Sequence, residues 1–330
     1  MKRIIFAMLV SILFIFGACG GNTDVGTPNY APYVGGNDGI TFKFAQGMPS
    51  DIPGAIGDNG NEFAIGVEIT NSGEYDINAE TEDDFLQVEL KGIKAEYFGV
   101  QKEDLVLELT EDLLGSKKNI DGSILKGDFT TLIFEDLSYK ADIQGDLPIT
   151  FMVDLCYDYG TKSSTRVCVA DNVNEALTND ICEISATQTT MNSAGPVQIT
   201  NLRQGPMGGS KISVVFDVVR IGTGDLFLYE GTNQCDYDSK NTDKDKVKIV
   251  VSLPDQSTAD LECSGFEMGE DGLENVMNVY RDGPTTVNCK ITGEEGDEGI
   301  YLETLSVDLF YRYNEQISKS VVVKDTGTAN

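Results

Sequence analysis

The chain has 330 residues, 24 Lys and Arg against 54 Asp and Glu, a net charge of −30 at pH 7, and neither His nor Trp. Charge of that sign repels a phosphate backbone and excludes DNA and RNA as partners. Without His there is no Ser-His-Asp triad, Cys-His pair or His-bearing zinc site, and sugar stacking is left to 13 Tyr in place of Trp.

At the N-terminus, Met1-Lys2-Arg3 precedes an apolar run, Ile4–Phe16, and then Gly17-Ala18-Cys19. Two cations, an apolar segment and small residues are the three parts of a secretory signal, predicted here over 1–18. The run is shorter than the roughly 20 residues that a membrane span needs. Small residues directly before Cys19 fit a lipobox, with Phe16 where Leu is usual, in which the cysteine sulfur takes a diacylglyceryl group. Two acyl chains hold a protein stably at a bilayer where one does not. The expected location is therefore the extracellular face of the cell membrane, with membrane lipid as one partner. Residues 19–37, rich in Gly, Asn, Thr and Pro, read as a flexible tether spanning about 25 Å.

Beyond it, short alternating runs such as Phe63-Ala64-Ile65-Gly66-Val67-Glu68-Ile69, punctuated by Gly, Asn and Asp, predict strands. Glu103–Leu114 fits a short helix or, through Leu105, Leu107 and Leu109, another strand. Several segments recur in order. Glu68–Gly73 resembles Asp217–Gly224, and Thr130–Phe134 lines up with Thr285–Cys289. Val153-Asp154-Leu155-Cys156-Tyr157-Asp158-Tyr159 matches Val307-Asp308-Leu309-Phe310-Tyr311-Arg312-Tyr313, and Val167–Asp171 matches Val321–Asp325. Two homologous units follow, 38–171 and 197–325, with a polar linker at 172–196 and a tail at 326–330.

Alternate strand residues share a face, so Phe151, Val153, Leu155, Tyr157 and Tyr159 line a core side and Asp154, Cys156 and Asp158 the other. Each unit is expected to end in a hairpin: Cys156 opposite Cys168 around a loop at 160–164, and Phe310 opposite Val322 around a loop at 314–318. Many short strands in units of this size predict an all-β protein of two tandem immunoglobulin-like antiparallel β-sandwiches. On Gly17-Ala18-Cys19, the Ile69–Tyr75 turn, the Cys-Tyr-x-Tyr segment Cys156–Tyr159 and the acidic, Trp-free composition, the chain resembles archaeal surface and S-layer-associated lipoproteins with tandem immunoglobulin-like (CARDB-like) modules. That resemblance implies a surface location and a scaffold, adhesion or envelope role without catalysis, and brings no binding residues with it.

Six further cysteines read as three disulfides of an exported protein. The hairpin register pairs Cys156 with Cys168. Cys263 and Cys289 both fall on a core face and are paired second, and Cys182–Cys235 follows by elimination. In the acidic stretch Asp236, Asp238, Asp243 and Asp245, Lys240, Asn241 and Val247 stand where an EF-hand needs an oxygen ligand, Gly and Glu. A looser calcium site there competes with plain solvated charge, the reading also given to Glu80–Asp84 and Glu294–Glu298. No other cofactor is expected, and no catalytic residue is marked. The parity of Tyr157, Tyr159, Tyr311 and Tyr313 makes them packing residues.

The expected function is a lipid-anchored, non-catalytic structural or adhesive protein of the cell envelope, meeting other envelope or surface proteins. Two alternatives stand beside it: a filament subunit assembling by strand addition, and a surface glycoside hydrolase, which needs only two suitably spaced carboxylates.

Overall fold

Alternation is realised along nearly the whole chain as strands that bury one face. The computed structural model describes residues 31–50, 55–80, 84–173, 181–185, 187–231, 235–236, 240–293 and 299–327. In the first repeat the strands are β1 (Ile40–Phe44), β2 (Glu62–Asn71), β3 (Leu86–Lys91), β4 (Val106–Glu108), β5 (Lys117–Lys118), β6 (Ile124–Leu125), β7 (Phe129–Ser138) and β8 (Leu147–Ala170). A short β9 (Met191–Asn192) lies between the repeats. The second repeat holds β10 (Val197–Gly208), β11 (Lys211–Arg220), β12 (Asp225–Leu228), β13 (Lys246–Ser252), β14 (Asp260–Cys263), β15 (Glu267–Met268), β16 (Leu273–Asn278), β17 (Thr285–Thr292) and β18 (Ile300–Val323). Glu103–Leu114 is neither helix nor one strand: a 3₁₀ turn, Glu103–Leu105, runs into β4.

A central sheet runs β15-β16-β13-β18-β8-β3-β4, with β12 added to β18 and β9 to β8. Two smaller sheets, β1-β2-β7 and β10-β11-β17-β14, form the second layer. Ile65, Val67 and Ile69 of β2 and Val214, Phe216 and Val218 of β11 share one core with Val153, Leu155, Val307 and Leu309 of the central sheet. The architecture is thus an all-β, antiparallel sandwich.

The expected hairpins are absent. β8 and β18 are each one unbroken strand, paired with each other from Leu147–Val323 to Ala170–Ile300. A tight hairpin commonly needs residues at positive φ, and none occurs in 160–164 or 314–318. Thr161, Ser163 and Thr165, placed in or beside a loop by the hairpin register, are instead buried on the core side of β8. Period-two alternation fixes which face a residue takes but not which strand it meets.

The observed register obeys the repeat. Asp158 pairs with Arg312, its own counterpart in the second unit, while Tyr157 faces Tyr313 and Tyr159 faces Tyr311. A pseudo-two-fold axis therefore passes through the Asp158–Arg312 pair, giving the self-complementary geometry of an isologous dimer within one chain. β3 lies on β8 as β13 lies on β18. The units at 38–171 and 197–325 are consequently not separate domains, as the sequence had suggested. They share the central sheet, and Pro32–Asn330 forms one compact unit.

Expressed alone, 38–171 would leave one edge of β8 bare along its 24 residues. Exposed edges of that length template aggregation. Circular dichroism and size exclusion should show 38–171 unfolded or aggregated, and the full chain melting in one transition. A monomeric 38–171 with a cooperative melt would contradict the shared sheet.

Candidate functional site

The seam between β8 and β18 gathers the densest set of buried polar side chains. On its inner face Tyr157, Tyr159, Tyr311 and Tyr313 are all fully buried. Their rings form a closed set, with centroids 5.8 Å apart for Tyr157–Tyr159, 5.9 Å for Tyr157–Tyr313, 6.1 Å for Tyr159–Tyr311 and 6.4 Å for Tyr311–Tyr313. Three of these contacts are edge-on and Tyr159–Tyr311 is tilted; aromatic pairs of this kind add about 0.5–1.5 kcal/mol each beyond burial.

Every hydroxyl in the set is used. The Ile40 amide donates to Tyr157 at 3.3 Å, and the Glu74 amide donates to Tyr159 at 3.1 Å, which in turn donates to the Ala194 carbonyl at 3.1 Å. Tyr311 bonds Thr161 at 2.7 Å, and the Gly224 amide donates to Tyr313 at 2.7 Å. Glycine is required at 73 and 222, the ends of the matching turns, because a Cβ there would collide with the Tyr159 and Tyr313 hydroxyls. Burial raises all four phenols above their ordinary range, Tyr313 to about 12. These tyrosines pack the seam, as their parity predicts.

On the outer face Arg312 Nε and Nη2 each donate to one Asp158 oxygen at 2.8 Å. Asp158 is 1% exposed and Arg312 5%. Arg312 also donates to the Gly231 carbonyl at 3.1 Å and lies 4.5 Å from the centre of the Phe85 ring. Burial pushes the Asp158 carboxyl up, against the pull of the guanidinium. Sequence reasoning assigned Asp158 only to a face and gave Arg312 no place beyond the matching segment. The available signal was that they are the one charge reversal within the matching Val153–Tyr159 and Val307–Tyr313 segments.

Beside the pair, Asp84 is buried, not solvated as its acidic neighbourhood had suggested. It accepts from Tyr75 at 3.0 Å, Tyr229 at 3.2 Å and the Asn78 amide at 2.9 Å. Burial raises Tyr75 strongly and Tyr229 to about 12. A groove of about 480 Å³ opens here, lined in part by Asp84, Phe85, Glu108, Glu230 and the ion pair.

A second groove, about 720 Å³, holds Lys91, Asp154, Asp225, Glu315 and Gln316. Lys91 and Gln316 both donate to Asp154. Burial, with nearby Asp38, raises the Glu315 carboxyl. The glycosidase alternative marks no particular pair of acids in the sequence. Glu315 pairs with core-facing Leu155 and Gln316 with Asp154, so alternation sends Glu315 and Asp154 to opposite faces of the sheet.

The cysteines need correction. Cys156 is joined to Cys235 and Cys168 to Cys182, in place of Cys156–Cys168 and Cys182–Cys235. Both differences follow from the long strands, since Cys156 sits opposite Asn314 and Cys168 opposite Leu302. Cys263 is joined to Cys289, directly across β14 and β17. Cys156–Cys235 ties the segment after β12, including Gly231, over the outer face of the ion pair. Cys168–Cys182 pins part of the expected linker, with Ile184, against Ala170 and Ile212.

Of the calcium candidates, Asp245 pairs with Arg220 at 3.3 Å, and Asp243 lies in a turn closed by Asn241. The Asp236 carbonyl accepts from Asn241 at 2.7 Å, and Asp238 lies outside the described residues. Among the described residues no group of three or more His, Cys, Asp or Glu is placed to hold a metal. Cys19 also lies outside the described residues.

No family model matches the chain. No curated protein is similar to it in sequence. Among solved structures, a GH31 alpha-xylosidase from Xanthomonas citri overlaps at a TM-score of 0.14 and 7% identity, covering 87% of this chain. The match spans 28% of that enzyme's length. A likeness that low carries no argument about fold or activity.

Removing one partner of a buried ion pair leaves an uncompensated charge and costs about 3–5 kcal/mol, whereas apolar replacement of both is often neutral. Asp158→Ala or Arg312→Ala should therefore lower the unfolding free energy by that amount in denaturant titrations, and Asp158→Leu with Arg312→Met should restore much of it.

The tyrosines give a pH test. Their folded pKa values lie above the unfolded value of about 10, so the native state favours the neutral phenol. The stability this supplies is complete below about pH 10 and is lost as pH rises through the folded values. Tyrosinate absorbance should consequently rise in a step that coincides with loss of structure, near or above pH 12, and not only as a smooth curve centred on 10.

Proposed function

We propose that the chain is a lipid-anchored cell-surface protein with a non-catalytic structural or adhesive role in the cell envelope. The observation that carries this is the seam. Its buried ion pair, four tyrosines and Asp84 are each bonded within the fold, and together they hold two repeats as one body. Three disulfides accompany it, as in proteins of oxidising, extracytoplasmic compartments. No helix among the described residues is long and apolar enough to cross a membrane, and the Gly17-Ala18-Cys19 site supplies an anchor by lipidation. The likeness to archaeal S-layer-associated lipoproteins agrees with this role, with membrane lipid and other envelope proteins as partners.

The filament reading retains one specific support. Along β18, β13 and β12 cover the edge opposite β8 only as far as Asn314. Among the described residues no strand pairs with 315–322 on that side, which leaves an edge of the kind that strand addition uses.

Mass spectrometry of membrane-extracted protein should find an N-terminus at Cys19 with added acyl mass, and Cys19→Ser should leave precursor or release the chain. A native N-terminus elsewhere, without lipid, would overturn the anchor. Released protein that stays monomeric on size exclusion supports the scaffold reading; long polymers support the filament.

A further inference from the structure

Of the sixteen large hydrophobic residues that are exposed among those described, five fall between 114 and 129: Leu114, Ile120, Ile124, Leu125 and Phe129. The β5–β6 hairpin presents three of them, Ile120, Ile124 and Leu125, with Leu114 before it and Phe129 at the start of β7. A turn closed by Gly122 N–H to the Asn119 carbonyl and Asn119 N–H to the Ser123 carbonyl, both 2.9 Å, holds Ile120 at its tip. Ile120 is 93% exposed, and both residues of β6 are exposed as well. Apolar side chains held out on an ordered projection mark an interaction site.

Charge selects the partner. Lys117, Lys118 and Lys126 flank the apolar tip, against Asp121, Asp128 and Asp76, the last paired with Lys117, so the projection is locally neutral in a chain where acids outnumber bases 54 to 24. This local neutrality suits an interface that is apolar at depth and carries phosphate at its surface. It disfavours a second copy of so acidic a chain.

Position gives an independent reason. The Glu74 carboxylate accepts from the Val34 and Gly35 amides at 2.8 and 2.9 Å. One residue earlier, the Gly73 carbonyl accepts from Ser116 at 2.7 Å, and Asp76 binds the Gly115 amide at 2.7 Å and Lys117 at 3.0 Å. A single turn, 73–76, thus holds both the root of the hairpin and the point where the chain enters the fold. Only 15 positions separate Val34 from Cys19, and a chain of that length reaches at most about 50 Å. A lipid on Cys19 would bring this end of the molecule to the bilayer.

We infer that the β5–β6 hairpin is a membrane-contact element, inserting Ile120, Ile124 and Leu125 among the acyl chains while Lys126 at its base meets lipid phosphate. The inference rests on the anchored reading for the source of its bilayer, but its test does not. The wild-type chain has no Trp, so Ile120→Trp reports from the tip alone. The chain from Cys19, coupled through that thiol to a maleimide lipid, is placed on phosphatidylcholine vesicles with and without phosphatidylglycerol. Ile120→Trp emission should shift to shorter wavelength on vesicles and be quenched by brominated acyl chains. Met268→Trp, at a site 79% exposed in the second repeat, should do neither. Adding Ile124→Asp and Leu125→Asp should cut the quenching at least tenfold without moving the melting transition. Emission from Ile120→Trp that ignores vesicles overturns the inference. So does a shift that appears without lipid as protein concentration rises, which would assign the hairpin to self-association. Because coupling is chemical, absence of a native lipid on Cys19 would defeat the anchor and leave this result standing.

Discussion

The pairing of β8 with β18 is the constraint on which the rest depends. Each strand belongs to a different repeat, and their full-length ladder turns two half-sheets into one. Once the ladder forms, inner-face side chains from both repeats share a core, and the two small sheets have a common surface to cover. The outer face acquires a buried ion pair that must be roofed. Phe85, Gly231 and the Cys156–Cys235 link provide that roof. Asp158 and Arg312 are therefore tied to the fold's connectivity as well as to its stability. Separating them would leave each repeat with an unmatched charge in a place with little water.

Much of the inner architecture was legible in the residues. Parity placed Phe151, Val153, Leu155, Tyr157 and Tyr159 on the core side, and all are buried there. The recurring segments reappear as equivalent strands with equivalent hydroxyl contacts. Partner choice was not legible, because alternation is a local property and the ladder spans more than a hundred residues of chain. A short self-hairpin and a long pairing with the other repeat put the same side chains on the same faces. Cys263 and Cys289 meet across neighbouring strands whose core-facing positions could be read locally. Cys156 could not be treated in that way, since its neighbour depends on which strand lies alongside. Asp84 was misread for a related reason: its stretch looks like surface charge until Tyr75, Asn78 and Tyr229 are brought around it.

The two grooves are best understood through the same geometry. Each lies beside the seam, and in each the strand that supplies a carboxylate also supplies a core residue one position away. Polar side chains on the outer face can thereby brace loops without disturbing the core.

The mismatch at the pseudo-two-fold axis has a consequence for molecules that meet at high density. Two copies brought together could in principle exchange strands, and a homotypic ladder of β8 with β8, in the same register, would bury Asp158 against Asp158. A ladder of β18 with β18 would set Arg312 against Arg312. Burying like charges against each other costs several kcal/mol, so the charge reversal at this one pair of equivalent positions disfavours each strand pairing with its own kind. With Cys156–Cys235 then joining the repeats covalently, the intramolecular choice is retained after it has been made. Divergence at a single pair of equivalent positions is thus enough to turn a duplicated sequence into a closed, self-satisfied chain.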